Sequence, residues 1–410
     1  MAKKHEPKPE PKQLKSKKAD LVPVFNRQSE LDELRASINK AFDGPVLVTG
    51  NELTNVYALR RPFGILQLDI ATAGGLPAGG VSQLIGKDSV GKTYLSNRVA
   101  GNVQATYGND AAISLAMTET IYDKAFGKLC GVRVAYSPGE LKDEAGKLGR
   151  DLTPEELAYL TDQVGYVDFP RAANAEMLLE IVAQQIESNL YQFVLIDSIG
   201  ALLPEAEAEA EGGITQAHFS GAASIITRFM HRVHRAMVSP DSRGRPNTTT
   251  VLAINQYRDK VGGPAWGNPM SIQGGNALKH GKLVDILLTE GKNHFVQLGP
   301  NKKLCVGKEI YWEIIKGKAG CHDGPKGLYQ FYFGQHGYPF GADLYEDLIV
   351  AGLTYGIVEA AGAWYSYDGN RIGQGKENVA VFLHDHPEVM AEIRIKTLEA
   401  AHCRFLTKEM

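Results

Sequence analysis

Residues 86–93 read Gly86-Lys87-Asp88-Ser89-Val90-Gly91-Lys92-Thr93. This segment matches the pattern G-x-x-x-x-G-K-[ST], follows the apolar run VSQLI, and leads into a helical segment that starts with Tyr94. In this strand-loop-helix context, backbone N–H groups at a helix start cradle phosphate oxygens. We therefore predict that residues 86–94 bind ATP, with Lys92 on the β- and γ-phosphates and the Thr93 hydroxyl on Mg²⁺.

Two acids that follow other apolar runs extend this predicted site. Asp197 ends the run FVLI, so we expect its carboxylate at the C-terminal edge of a strand, where open α/β sheets bind ligands. We predict that it holds Mg²⁺ together with Thr93, although a lone Asp here is otherwise typical of a helix cap. Glu119 follows the run AAISLAM and is our candidate general base, with a solvated turn acid as the alternative.

The composition excludes several classes of protein. A net charge of −3 over 410 residues gives no overall positive field, so contacts with nucleic acid would depend on local cations. The four cysteines have no metal-ligand spacing, which favours free thiols and a cytoplasmic location. No apolar run approaches the roughly 20 residues of a membrane helix, so we expect no membrane partner.

Hydrophobic periodicity divides the chain. A Lys- and Pro-rich start predicts a flexible basic tail, and apolar residues at helical spacing predict one amphipathic helix after Ser29. From about Ile65, short β-branched runs alternate with helical segments, which predicts an α/β fold with a mostly parallel central sheet flanked by helices. Helical periodicity beyond about Gly334 predicts a small C-terminal domain.

The segment AINQYR at 253–258, followed by GNPMSIQGGNALKHGKLVDILL, closely resembles the second DNA-binding loop of RecA-family recombinases. Further matches follow in the family's order: GGLPAGG, IDSIGALLPEAEAE, EIIKGK and GAWYSYDGNRIGQGK. The resemblance spans roughly residues 63–397. The chain is identified as a bacterial-type member of this family, and departures in its first DNA loop favour a phage or mobile-element version.

The resemblance implies a RecA-like P-loop ATPase core, preceded by an N-terminal helix and followed by a small α/β C-terminal domain. It implies a tail at 1–22, a polymerisation helix and linker at 23–62, the core at 63–334 and a duplex-contacting domain at 335–410. The implied activity is DNA-dependent ATP hydrolysis and strand exchange by a helical filament on single-stranded DNA. The implied partners are single- and double-stranded DNA, further copies of the chain, and possible mediator and single-strand-binding proteins.

By the same resemblance, Gln256 is the switch that senses the γ-phosphate and relays it to the loop behind it. Lys316 and Lys318 would reach the ATP of a neighbouring subunit, and two residues of spacing along a strand would place both on one face. Asp123 and Phe126 match positions that flank the adenine, with Phe126 in place of the more usual tyrosine.

Two loops, at about 205–220 and 257–275, match the family's DNA-binding loops. Arg258 and Lys260 can contact phosphates, and Trp266 can stack on bases, with a buried anchor as its alternative role. Gly274 and Gly275 allow close approach of the backbone to phosphate. The remaining candidates for DNA contact are Arg228, Asn268, Asn276, Arg371 and Lys376. For Arg228, a solvated helix face is the alternative.

Two other functions compete with this interpretation. A ring-forming ATPase or helicase on the same core would share the phosphate loop and Asp197, but it gives no reason for GGNALK and GAWYSY. A single-strand-binding scaffold that does not hydrolyse ATP would not need Glu119, Lys92 and the two lysines at 316 and 318.

Overall fold

The computed structural model describes residues 27–44, 46–202, 221–241, 243–259, 270–272, 278 and 280–403. The chain divides into two compact units, residues 1–54 and residues 55–410. The predicted basic tail and the first predicted DNA loop lie outside the described residues. None of the helices in the described part is long and apolar enough to cross a membrane.

The first unit contains helix α1 (Arg27–Ala41), which carries acidic Glu30 in its first turn and Lys40 in its last. Both charges suit the helix dipole. The side chain of Asn39 accepts a hydrogen bond from the Leu47 amide at 2.8 Å and donates one to the Leu47 carbonyl at 3.0 Å. These two bonds fix the segment that follows the helix within this unit.

The second unit begins with a short antiparallel pair, β1 (Arg60–Arg61) and β2 (Leu76–Pro77). The strands of the large sheet follow: β3 (Gly80–Gly86), β4 (Ala112–Met117), β5 (Tyr166–Asp168), β6 (Phe193–Asp197), β7 (Thr250–Asp259), β8 (Met270–Ile272), β9 (Lys282–Gly299), β10 (Lys302–Gly317), β11 (Lys326–Phe333) and β12 (Phe340–Ala342). The predicted apolar runs are the central strands of this sheet. All seven residues of β3 and all five of β6 are buried.

The sheet has the order β12-β11-β10-β9-β3-β7-β6-β4-β5, with β8 paired to β7 alone. In this spatial order, the neighbouring strands β9, β3, β7, β6, β4 and β5 pair in parallel. On the other side of β9, the strands β10, β11 and β12 pair antiparallel. This confirms the predicted α/β fold with a mostly parallel central sheet. Parallel strands are buried on both faces, which explains why these segments read as continuous apolar runs.

The helices described in this part are α2 (Leu66–Ala71), α3 (Lys92–Tyr107), α4 (Lys124–Leu129), α5 (Pro138–Leu148), α6 (Pro154–Thr161), α7 (Ala175–Ser188) and α8 (Gly221–Val238). One apolar cluster joins α3 to the sheet, and a second joins α7 and α8 to it. At the β3–α3 junction, the chain enters a helix directly from the edge of the sheet, which is where the phosphate loop (residues 86–93) lies.

The C-terminal part contains α9 (Leu344–Thr354), β13 (Val358–Ala361), β14 (Trp364–Tyr367), β15 (Asn370–Gln374), α10 (Lys376–Asp385) and α11 (Pro387–Ala400). The last three strands form their own antiparallel sheet, and a separate apolar cluster holds this part together. Strand β12 pairs with β11 in the large sheet, so that sheet continues past the boundary predicted at residue 334. Asp347 of α9 accepts hydrogen bonds from the Leu66 amide at 2.5 Å and from the Gln67 side chain at 2.9 Å.

Candidate functional site

A cavity of about 680 Å³ opens beside the phosphate loop, at the C-terminal edge of the parallel strands. Its polar lining comes from several separate elements: Asp88, Ser89, Gly91, Lys92, Thr93, Glu119, Thr120, Asp197, Gln256 and Lys308. Its remaining lining is apolar: Tyr94, Met117, Phe126, Ile254, Ile310, Phe331, Phe333 and Phe340. The sheet thus brings together most of the residues that we predicted for the nucleotide site.

Lys92 is the first residue of α3 and is almost fully buried. Its ammonium donates to the carbonyls of Gly86 at 3.0 Å and Lys87 at 2.6 Å, so it lies folded back over its own loop. Burial lowers the pKa of Lys92, and the nearby Asp88 carboxylate opposes that shift. Gly91 precedes it in a left-handed conformation (φ +88°), which glycine adopts at little cost.

Thr93 and Asp197 meet between β6 and α3. The Thr93 hydroxyl donates to the Asp197 carboxylate at 3.1 Å, which joins residues 104 positions apart in the chain. Burial raises the pKa of Asp197 to about 6, while the hydrogen bond from Thr93 lowers it. A hydroxyl and a carboxylate in contact are the oxygen ligands that Mg²⁺ takes beside a phosphate.

Glu119 lies just beyond the end of β4, beside the end of β6 and beside Gln256 of β7. Its carboxylate accepts hydrogen bonds from the Ser198 hydroxyl and from the Gln256 side-chain amide, the second at 3.2 Å. Thr118 fixes Ser198 in turn, since its hydroxyl accepts from the Ser198 amide and donates to the Ser198 carbonyl, both at 2.7 Å. Glu119 is therefore held in one orientation by partners from two neighbouring strand ends.

The residues present fit a nucleoside triphosphate with Mg²⁺. The loop offers an αL glycine and a buried ammonium whose two present acceptors are carbonyl oxygens, which phosphate oxygens could replace. A Cβ on Gly86 would lie 2.7 Å from the Leu288 carbonyl oxygen, so this position tolerates only glycine. We assign Lys92 to the phosphates and Thr93 with Asp197 to the metal as a prediction.

Aromatic side chains form the other wall of the cavity. Phe126 of α4 packs edge-on against Phe340 with ring centroids 5.8 Å apart. The ring of Tyr94 contacts Phe331 at 4.9 Å, and its hydroxyl accepts from the Ala342 amide at 2.9 Å. Such a wall suits the flat face of a nucleobase. The predicted base-stacking role of Phe126 stays a prediction.

Asp123 has a structural role in α4. Its carboxylate accepts from the Phe126 amide at 3.0 Å as the N-cap of this helix, and it is not among the residues that line the cavity. Capping fixes the position of Phe126, so Asp123 can act on a bound base through that residue.

Lys316 and Lys318 are likewise outside the cavity lining. Lys316 pairs across the sheet with Asp285; burial lowers the pKa of Lys316 and the Asp285 carboxylate opposes this. Strand β10 ends at Gly317, and Lys318 follows it with its amide donating to the Leu283 carbonyl at 2.8 Å. The expectation that both lysines share one face stays a prediction. Lys318 is exposed just beyond the strand, and its positive charge adds to the lowering of the Lys316 pKa.

Few of the predicted DNA-contact residues can be located. Arg228 is exposed on α8. Arg371 is exposed and lies over the Trp364 ring at 4.7 Å, and Lys376 pairs with Glu346 at 2.5 Å. Arg258 lies on β7, but its side chain is not among those described. The other candidates fall outside the described residues: Lys260, Trp266, Asn268, Gly274, Gly275 and Asn276.

Sequence reasoning missed Lys308 and the phenylalanines of β11 and β12. Lys308 lines the cavity from β10 and touches the phosphate loop. Its sequence context, KEIYWEIIK, is an alternating strand pattern that gives no sign of a nucleotide nearby. Only the antiparallel extension of the sheet brings these residues to the site.

Comparison with known families finds two matches along this chain. Residues 163–320 match the RecA N-terminal domain, and residues 346–402 match the RecA C-terminal domain. The chain is 30% identical over 379 residues to the protein named Protein RecA of Frankia alni, covering 92% of this chain and 93% of that one. The chain belongs to the RecA family.

Other relatives agree with this assignment. Protein RecA of Thermus aquaticus is 29% identical over 377 residues, covering 92% of this chain and 95% of that protein. Protein RecA of Streptococcus thermophilus is 30% identical over 368 residues, covering 90% and 84%. The RecA resemblance drawn from the sequence is thereby confirmed along nearly the whole chain.

Proposed function

We propose that this RecA-family protein is a DNA-dependent ATPase and homologous recombinase of the cytoplasm. It forms helical filaments on single-stranded DNA, pairs that strand with a homologous duplex and exchanges strands. ATP and Mg²⁺ are its cofactors, and single-stranded DNA, duplex DNA and further copies of the chain are its partners. Mediator and single-strand-binding proteins are further expected partners.

One contact carries the proposal, namely the hydrogen bond from the Gln256 amide to the Glu119 carboxylate. Gln256 belongs to β7, which runs on into the segment predicted to bind DNA. Glu119 lies in the cavity beside the phosphate loop. Gln256 would thus connect the nucleotide cavity to the segment that follows it, so that a change at one of them would affect the other, as coupling of ATP hydrolysis to DNA requires.

The chemistry follows from the side chains in the cavity. Lys92 would neutralise phosphate charge, and Thr93 with Asp197 would hold the metal. Glu119, fixed by its two partners, would accept a proton from the attacking water. Lys316 and Lys318 would supply positive charge to the cavity of the next subunit, so hydrolysis would depend on assembly.

The test is steady-state ATP hydrolysis with and without single-stranded DNA, for the wild type and Glu119→Gln. We expect DNA to stimulate the wild type. The variant should lose at least about a hundredfold in kcat, the usual size of a general-base contribution, while it still binds nucleotide. Lys326→Ala, an exposed lysine on β11, serves as the control and should match the wild type.

Turnover that is independent of DNA would contradict the proposal and favour a ring ATPase. An unaltered rate in Glu119→Gln would remove Glu119 from the catalytic role. Nucleotide binding without turnover in the wild type would favour the scaffold.

A further inference from the structure

Lys308 makes two contacts that the proposed chemistry does not use. Its ammonium donates to the Ser89 carbonyl at 2.8 Å, across 219 positions of the chain, and pairs with the Glu290 carboxylate at 2.8 Å. Only 10% of its side chain is exposed, whereas Glu290 on β9 is 48% exposed. A buried ammonium thus bridges the antiparallel part of the sheet and the phosphate loop.

The contact falls on the peptide whose orientation matters for phosphate binding. Ser89 has φ +60°, a left-handed conformation that is unfavourable for a residue with a side chain and persists only where its surroundings hold it. In a trans peptide the carbonyl and the following N–H point in opposite directions. Binding the Ser89 carbonyl on one side therefore leaves the Val90 N–H on the other side, free to meet a phosphate.

A second residue braces the same loop from the same part of the sheet. Tyr329 of β11 is 2% exposed, and its hydroxyl oxygen would lie 3.4 Å from a Cβ placed on Gly91. Lys308 and Phe331, also of β11, are directly paired across strands β10 and β11. The loop therefore rests on both antiparallel strands, with one charged contact and one packing contact.

We infer that Lys308 is a positioning residue for the triphosphate site. It holds the Ser89–Val90 peptide in its phosphate-binding orientation, and Glu290 holds Lys308 in place. The inference rests on the proposed function, since it names a determinant of nucleotide affinity at that same site.

The experiment measures nucleotide affinity without DNA, by titrating the full chain with a fluorescent ATP analogue. Lys308→Met should weaken binding about tenfold or more, since hydrogen bonds to charged groups contribute on this scale. Glu290→Gln should weaken it about twofold to fivefold, because a surface ion pair contributes little. Lys308→Arg should restore most of the affinity.

A matched control variant, and the separate effects on KM and kcat, distinguish this positioning role from a general effect on folding. Lys303→Met alters an exposed lysine on the same strand and should bind like the wild type. In ATP hydrolysis with saturating single-stranded DNA, Lys308→Met should raise KM about tenfold and leave kcat within about twofold. A merely destabilised protein would instead lose active fraction, and hence kcat, at unchanged KM.

Wild-type affinity in Lys308→Met would overturn the inference, as would a loss that Lys308→Arg does not rescue. If Lys308→Met does not fold, Lys308→Arg and Glu290→Gln still test the inference, because both variants keep part of the bridge between Glu290, residue 308 and Ser89. Wild-type affinity in Glu290→Gln would then overturn the inference. A wild type that binds no nucleotide would instead refute the proposed function itself.

Discussion

Asp69, at the start of the large unit, shows how burial controls the charge of one residue. Its carboxylate is fully buried and accepts hydrogen bonds from the amides of Phe63 at 2.7 Å and Gly64 at 3.0 Å. Burial raises its pKa to about 7, even though Arg394 and the two amides act in the opposite direction. Between about pH 4 and pH 7, Asp69 is therefore protonated in the folded protein and ionised in the unfolded chain.

This difference predicts the pH dependence of stability. In the unfolded chain an Asp releases its proton near pH 4, whereas Asp69 in the folded protein does so near pH 7. Between these values the folded state binds more protons, so the free energy of unfolding must fall as pH rises, and level off above pH 7. Asp69→Asn should show a smaller fall over this range, because the contribution of Asp69 is lost while that of Asp197, whose pKa is raised to about 6, remains. The measurement is urea unfolding at pH 5, 6, 7 and 8. The same slope in both proteins would contradict the assignment.

At the residue scale, the sequence predicts the position of a side chain where the signal is local. Lys92 and Thr93 lie in one contiguous motif, and Asp197 directly ends an apolar strand, so their neighbours in sequence predict their place. Lys308 could not be predicted, because its partner Ser89 is 219 positions away and its own neighbours show only a strand. The role of Asp123 as a helix cap has a local signal, which the comparison with the family's adenine position obscured.

At the scale of elements, the alternation of apolar runs was sufficient to predict the parallel strands. The antiparallel strands β10 to β12 are only partly buried, and an alternating pattern such as KEIYWEIIK indicates a strand without saying which strand it pairs with. Helices α5 and α6 begin directly after their N-cap residues, Ser137 and Thr153, each with a complete capping box and a proline in the first turn. A Ser or Thr followed three residues later by Glu, with Pro between them, is a local sequence signal for a helix start.

Two helical glycines give opposite predictions for the same substitution. A Cβ on Gly101 of α3 would lie 2.6 Å from the Gly131 carbonyl oxygen. Because this is a backbone atom, relieving the clash requires a shift of the main chain. Gly101→Ala should therefore lower the free energy of unfolding by about 2 kcal/mol. Gly146 of α5 has no atom within 4 Å of the added methyl group, so Gly146→Ala should raise it by about 0.5–1 kcal/mol.

Urea unfolding of both glycine variants beside the wild type makes the comparison. Equal effects of the two substitutions on the free energy of unfolding would show that helix propensity alone determines them. That result would contradict the close contact between α3 and the backbone of Gly131.

At the scale of the whole molecule, the chain combines a large unit, residues 55–410, with a separate unit at residues 1–54. None of the fifteen residues of α1 is buried within its own unit, although Leu31 and Leu34 recur at helical spacing. An apolar stripe of this kind is typical of a helix that packs against another surface. We expect that surface to be on a second copy of the chain, as filament assembly requires.

Strand exchange with fluorescent oligonucleotides tests the central claim most directly, because it needs ATP binding, filament assembly and homologous pairing together. With ATP and Mg²⁺, the full chain should transfer the labelled strand of a duplex to homologous single-stranded DNA and ignore a heterologous strand. Residues 55–410 alone should fail while remaining folded. Strand separation irrespective of homology, or ATP hydrolysis with no transfer at all, would contradict the account.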